Sequence, residues 1–197
     1  MPVLYYVRHG ETVWNAEGRL QGQQDSALSA IGRTQAIKCA AILTELLARD
    51  GKTPADPAYV SSPLGRARAM MDALRAALGL APDPYGIEPR LAEIAFGRWE
   101  GLTLADIMAR EPAALTVREH DKWNFLPPGG ESYAQVAARV GEWYGELAHD
   151  TVVTAHGGTA RALIAHLGIV PPEQAANSDV AQGVVYVFEG KNVARYG

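Results

Sequence analysis

The sequence predicts an α/β fold, a three-layer α/β/α sandwich around a mostly parallel sheet, and two observations carry that reading. Short β-branched and aromatic runs alternate with longer stretches of helical periodicity, the pattern of strand–helix–strand units. Two of the apolar runs, near opposite ends of the chain, stop at a His-Gly dipeptide: Val7-Arg8-His9-Gly10 and Ala155-His156-Gly157-Gly158. In an open α/β sheet, ligands bind beyond the carboxyl ends of the strands. Paired endings of this kind therefore point to a site as well as to a fold.

Taken in order, Val3 to Val7 reads as a buried strand ending in a loop. Ser29 precedes a helix in which Ala36, Ala40, Leu43 and Leu47 share a face. Gly51 to Pro57 is a turn-rich break before a short strand, Ala58 to Ser61. Ser62-Pro63 predicts an N-cap and first-turn proline for a helix running to about Leu78, and Pro82 to Gly86 is another break. Residues 103–111 predict a short helix, and 112–131 a Pro/Gly-bearing connection. Ser132 opens a helix with Val136, Val140, Trp143 and Leu147 on one stripe, and Arg139, Glu142 and Glu146 off it. Thr151 to Ala155 is a second buried strand, followed by a helix, and Gly183 to Glu189 with Asn192 to Tyr196 suggests a closing hairpin around Gly190-Lys191. The expected sheet has about five or six strands, the hairpin adding an antiparallel edge. One domain over residues 1–197 is expected.

Composition removes several functions. With 18 Lys+Arg against 22 Asp+Glu, the net charge of −4 is too acidic for a general nucleic-acid binder. The single Cys39 excludes an internal disulfide and any Cys-rich metal centre. No apolar run approaches the ~18 residues of a membrane span, and Met1-Pro2-Val3 lacks the basic region of a signal peptide. A soluble, cytoplasmic enzyme without membrane partners is the expectation; oligomeric state does not follow. His-Glu-x-x-His, a Walker-type glycine loop and Gly-x-Ser-x-Gly are all missing. A cysteine phosphatase loop needs arginine six positions after its cysteine, and here that position is Glu45.

The chemistry-bearing residues are few. His9 and His156 with Arg8 could form a phosphate site at the strand ends. Arg66 falls near a predicted helix start, where the macrodipole disfavours a cation by a few tenths of a kcal/mol. A bound anion would reverse that penalty; a solvated arginine is the plainer alternative. Glu93 is flanked by Leu91, Ile94 and Phe96, apolar neighbours that favour the protonated carboxyl a proton donor needs. It could equally pair with Arg90 or Arg98.

These residues together resemble the histidine phosphatase superfamily, the phosphoglycerate-mutase-like proteins. Arg8-His9-Gly10-Glu11-Thr12 with Trp14-Asn15 and Gly18-Arg19-Leu20-Gln21-Gly22 is similar to its signature. Ser61-Ser62-Pro63-Leu64-Gly65-Arg66-Ala67 is similar to the second motif, and Glu93 with Phe96-Gly97-Arg98-Trp99-Glu100-Gly101 to the segment bearing the acid. His156-Gly157-Gly158 with Arg161-Ala162-Leu163 is similar to the last motif, and Gly130-Glu131-Ser132 to a weaker element.

The resemblance implies a phosphohistidine on His9, with Arg8, Arg66 and His156 holding the phosphoryl oxygens and Asn15 and the Gly157 N–H assisting. It implies that Glu93 protonates the leaving alcohol and then helps activate water, and that Gln21 and Gly22 lie near the rest of the substrate. Two arginines beside His9 should keep it neutral and nucleophilic. Gly10 and Gly157 should let the backbone approach the anion. Neither metal nor cofactor is called for, because the cationic side chains supply the positive charge. Mutases of the family carry a longer basic insertion after the acid motif. Here Leu102 to Gly129 holds only Arg110, Arg118 and Lys122 as bases, which favours an open pocket and hydrolysis. A cofactor-dependent phosphoglycerate mutase is the runner-up, and an idle phospho-ligand or protein-binding domain the third reading. The expected partner is a small phosphorylated metabolite: a sugar phosphate, a phosphoglycerate, or a nucleoside-type phosphate from cobalamin assembly.

Overall fold

The computed structural model describes residues 2–81 and 84–197. Pro82 and Asp83, at the start of the predicted break, lie outside the described residues. The strands are β1 (Leu4–Arg8), β2 (Ala58–Ser61), β3 (Gly86–Ile87), β4 (Thr151–Ala155), β5 (Val185–Glu189) and β6 (Asn192–Tyr196). The helices are α1 (Val13–Ala16), α2 (Ala30–Arg49), α3 (Gly65–Ala77), α4 (Leu104–Arg110), α5 (Pro112–His120), α6 (Tyr133–Gly145), α7 (Gly157–His166) and α8 (Pro172–Ala175). Short 3₁₀ turns at Pro89–Leu91 and Gly97–Trp99 bracket Glu93.

One six-stranded sheet runs in the order β3-β2-β4-β1-β5-β6. β3, β2, β4 and β1 are parallel, while β5 and β6 form the antiparallel edge. Alternation along the strands divides the core. Leu4 and Tyr6 of β1, with Val153 and Ala155 of β4, pack under α6 and α7. Tyr5 and Val7, with Val152, pack under α2 and α3 through Ala36, Leu43, Met70 and Leu74. A period of two can bury both faces of a strand only when both are covered, so the three-layer expectation holds. Leu43, fully buried beneath the sheet, is a position where truncation to alanine costs about 2–5 kcal/mol.

Two local expectations are corrected. The helix after β2 starts at Gly65, not at Pro63, and its N-cap Leu64 supplies no side-chain bond. The carboxylate of Asp25 takes the orphan N–H groups of Gly65 and Arg66 instead, at 2.6 and 3.3 Å. Ser62 Oγ accepts from Leu64 N–H at 3.3 Å, ahead of the helix, and lies 2.6 Å from His156 Nε2. Second, the 112–131 connection contains α5, with Pro112 at its first helical position, where a missing N–H costs nothing.

Candidate active site

Parallel pairing of β1 with β4 sets Arg8 opposite Ala155, so the residues just beyond each strand emerge together. His9 N–H continues the ladder to Ala155 O at 2.9 Å. The His9 and His156 rings then lie 5.2 Å apart, centroid to centroid.

The two histidines differ in setting. His9 is buried, and its Nδ1 lies 2.8 Å from the acceptor Gly10 O, so Nδ1 carries the proton. Its Nε2 is left with a lone pair, which accepts from Arg66 Nε at 3.3 Å. Burial holds the imidazole well below its ordinary pKa, and the charges of Arg8 and Arg66 push it further down. A neutral, correctly tautomerised nitrogen results. His156 is also held well below the usual range, first by burial and then by Arg66. Its backbone is fixed by Tyr6, whose hydroxyl donates to His156 O (2.7 Å) and accepts from His156 N–H (3.0 Å). Its Nδ1 has no partner among the described residues.

Arg66 is almost wholly buried and latched. Nη1 donates to Gln24 O and Asp25 Oδ1, and Nη2 to Gly22 O at 2.6 Å. Only Nε points at His9. Arg8 is freer: Nη1 donates to Val180 O, and its buried Nε is without a partner among the described residues. Arg66 thus presents Nε to His9, while Arg8 lines the same cavity with an unpaired Nε.

Glu93 sits between the two 3₁₀ turns, and both of its oxygens are held by backbone N–H groups, from Ile94 at 2.9 Å and Gly158 at 3.1 Å. A Cβ at residue 158 would fall 2.3 Å from Glu93 Oε1, so any side chain there would displace the carboxylate. The alternative partners are engaged elsewhere: Arg90 with Glu88 and Glu146, Arg98 with Glu111.

A cavity of about 140 Å³ is lined by Arg8, His9, Asn15, Gln21, Gly22, Arg66, Glu93 and Gly157, eight of the nine residues singled out from the sequence. The ninth, His156, is fully buried behind His9 and Ser62 and does not line it. Asn15 Oδ1 accepts from Thr12 N–H and Gln182 Nε2, which leaves its NH₂ to donate. Gln21 is buried, with Oε1 unpaired among the described residues. The role expected of Gly10 is corrected: a Cβ there would strike Gly32 O of α2 at 2.4 Å, so helix packing demands that glycine. At Gly157 a Cβ would crowd Arg161 Nη1 (3.2 Å) and Arg8 Nε (3.4 Å), consistent with anion approach.

Arg19, Tyr133 and Arg161 also line the cavity, and the sequence pattern alone assigns them no role. Arg161 Nε donates to Ser178 O, and Lys122 Nζ to the adjacent Asn177. Burial, with Arg118 and Arg161 nearby, pushes the Lys122 ammonium down to about 8. Glu119 is the acidic neighbour of Arg118. None of Arg8, Arg118, Lys122 and Arg161 forms a salt bridge among the described residues. No group of three or more His, Cys, Asp and Glu side chains among them is placed to hold a metal ion. No helix among them is long and apolar enough to cross a membrane.

Residues 4–194 match the model of the histidine phosphatase superfamily (branch 1), and the chain belongs to that family. It is 38% identical over 182 residues to the glucosyl-3-phosphoglycerate phosphatase of Mycobacterium tuberculosis, covering 85% of this chain and 76% of that one. A solved structure of a mycobacterial glucosyl-3-phosphoglycerate phosphatase superposes with a TM-score of 0.78 at 32% identity, covering 94% of this chain and 89% of the other. The chain is also 31% identical to a 2,3-bisphosphoglycerate-dependent phosphoglycerate mutase from Gloeobacter violaceus, covering 96% of this chain and 86% of that one. It is a phosphomonoesterase of this superfamily, and a small phosphorylated metabolite fits its site.

Proposed function

We propose that the enzyme, one domain over residues 1–197 acting in the cytoplasm, hydrolyses its phosphomonoester through a phosphohistidine on His9, without a metal. The observation that carries this is the His9 tautomer: Nδ1 is bonded to Gly10 O, and the Nε2 lone pair accepts only the long bond from Arg66 Nε. Nε2 attacks phosphorus while the ester P–O bond breaks, and Glu93 delivers its proton to the departing alkoxide. A phosphoryl oxygen replaces Nε2 as the acceptor for Arg66 Nε, and another takes the free Nε of Arg8. The charge that develops on these oxygens is where catalysis of phosphoryl transfer is greatest. Water then attacks the phosphohistidine and gives its proton to the Glu93 carboxylate. Phosphate leaves, and His9 is again neutral. His156, behind the nucleophile, supports a phosphoryl oxygen by exchanging the Ser62 Oγ partner of its Nε2 for that oxygen.

The cationic side chains at the cavity rim support a substrate bearing a second anionic group near the ester. Glucosyl-3-phosphoglycerate, the substrate in the relatives' names, has such a carboxylate. Phosphate release from 3-phosphoglycerate should therefore exceed that from glycerol 3-phosphate in kcat/KM, should survive EDTA, and should vanish in His9→Ala. Conversion of 3-phosphoglycerate to 2-phosphoglycerate with bisphosphoglycerate present, in place of free phosphate, would establish a mutase. Loss of activity in EDTA would end the metal-independent scheme.

A further inference from the structure

The loop that carries Glu93 has no regular structure from Ala92 to Phe96, yet the proton donor must be placed within a fraction of an ångström. The catalytic scheme leaves Glu131 and Arg139 unexplained, and both are aimed at this loop. Arg139, on α6, grips Glu131 with two parallel bonds, Nε to Oε1 at 3.1 Å and Nη2 to Oε2 at 3.0 Å. The same guanidinium donates to Arg90 O and Glu93 O. Glu131 Oε2 accepts from Ala95 N–H at 3.1 Å, and Glu131 N–H donates to Ala95 O at 2.8 Å. The loop and the Glu131 segment touch without side chains between them: a Cβ at residue 130 would meet Ala95 O at 2.4 Å. Gln23 Nε2 also donates to Glu93 O, at 3.4 Å.

We propose that Glu131 and Arg139 are positioning residues for proton delivery, an ion pair that clamps the backbone at residues 90, 93 and 95 and thereby fixes the Glu93 carboxyl against the leaving oxygen. The inference rests on the reading of Glu93 as the proton donor. A bidentate pair suits the task because its planar fork fixes direction as well as distance. Both side chains are mostly buried, at 19% and 26% exposure, so solvent screens the pair less than at the surface. A clamp acting only through Glu93 affects the step that needs a proton. The field of Arg139 also reaches His156, and a loss by that route would fall on every substrate alike.

The test compares kcat/KM for an alkyl phosphate, whose leaving group needs a proton, with that for p-nitrophenyl phosphate, whose leaving group does not. Arg139→Gln and Glu131→Gln should each lower the alkyl value roughly 10- to 100-fold, a part of the about 10²–10⁴-fold that general-acid help supplies, and the aryl value less than about 3-fold. Arg139→Lys, which keeps the charge but not the fork, should fall between. In a Glu93→Gln background neither substitution should cost the alkyl substrate anything further. Should Arg139→Gln fail to fold, Glu131→Gln keeps the shape and reads the same ratio. Equal losses on both substrates, or a further loss in the Glu93→Gln background, would overturn the inference. Wild-type chain without His9-dependent turnover would instead overturn the reading beneath it, and the inference with it.

Discussion

The ends of β1 and β4 are written almost identically, apolar strand then His-Gly, yet they finish as different chemical objects. At the β1 end, His9 turns Nδ1 to its neighbour's carbonyl and Nε2 to the cavity. At the β4 end, His156 is enclosed, with Nε2 against Ser62 and its backbone tied to Tyr6. The chain beyond each dipeptide differs too. Gly10 leads into a loop packed on α2, whereas Gly157 and Gly158 open α7, whose first turn faces Arg8 and Glu93. A motif brings a histidine to the site, but the hydrogen bond on its second nitrogen decides what the histidine does there.

The comparison can be broken by substitution. His9→Ala should lower turnover of any phosphomonoester on the order of 10⁴–10⁶-fold, as loss of a nucleophile does, while His156→Gln should cost about 10²–10³-fold, the scale of one lost oxyanion donor. Steady-state kinetics with p-nitrophenyl phosphate separates them, and equal losses would erase the distinction. Glu93→Gln should come between, about 10²–10⁴-fold on an alkyl phosphate and clearly less on the aryl ester. Because its carboxylate is held by Gly158 N–H, that residue makes the β4 end serve chemistry at the β1 end. Ser62→Ala, which removes the partner of His156 Nε2 and the acceptor of a long bond from Leu64 N–H, should cost roughly 5-fold, the equivalent of about 1 kcal/mol, with no change in the alkyl-to-aryl ratio.

Most of the fold is legible in the sequence because it rests on local signals. Of the cavity lining, Arg8, His9, Arg66 and Glu93 stand out by their own setting, while Asn15, Gln21, Gly22 and Gly157 are legible only through the family resemblance. Strand and helix periodicity, with turn residues at the breaks, fixes the order of elements, and parallel strands of a covered sheet bring their carboxyl ends together. The hidden features depend on distant segments. Asp25 caps α3 from 40 residues away, and Tyr6 and Thr159 meet across 153; no window of sequence contains such pairs. Ser62-Pro63 misleads because its cap signal is generic, while the hydroxyl takes Leu64 N–H ahead of the helix and meets His156 only in the folded chain. Pro112 reads as a breaker in the sequence, yet it starts a helix. Arg161 stands inside a recognised motif, but only the folded cavity shows what it faces.

A further effect is on stability rather than turnover. Both imidazoles are held below their ordinary range, first by burial and then by neighbouring arginines. Below about pH 6.5 the unfolded chain therefore binds protons that the folded one refuses. Stability should fall as pH drops through that window, by at most about 1.4 kcal/mol per unit for each histidine. Melting curves from pH 7 to 5 should show a shallower fall in His9→Asn and in His156→Asn than in the parent. Identical slopes in all three would mean that neither site resists protonation.

The central claim is that His9, not His156, carries the phosphoryl group. Rapid quenching of Glu93→Gln with p-nitrophenyl phosphate into base, followed by proteolysis and mass measurement, tests it directly. In that variant water attack on the phosphoenzyme is slowed, so the intermediate accumulates. The account predicts an acid-labile, base-stable phosphate on the peptide containing His9 and none on the peptide containing His156. Phosphate on the His156 peptide, or turnover with phosphate on neither, would contradict it.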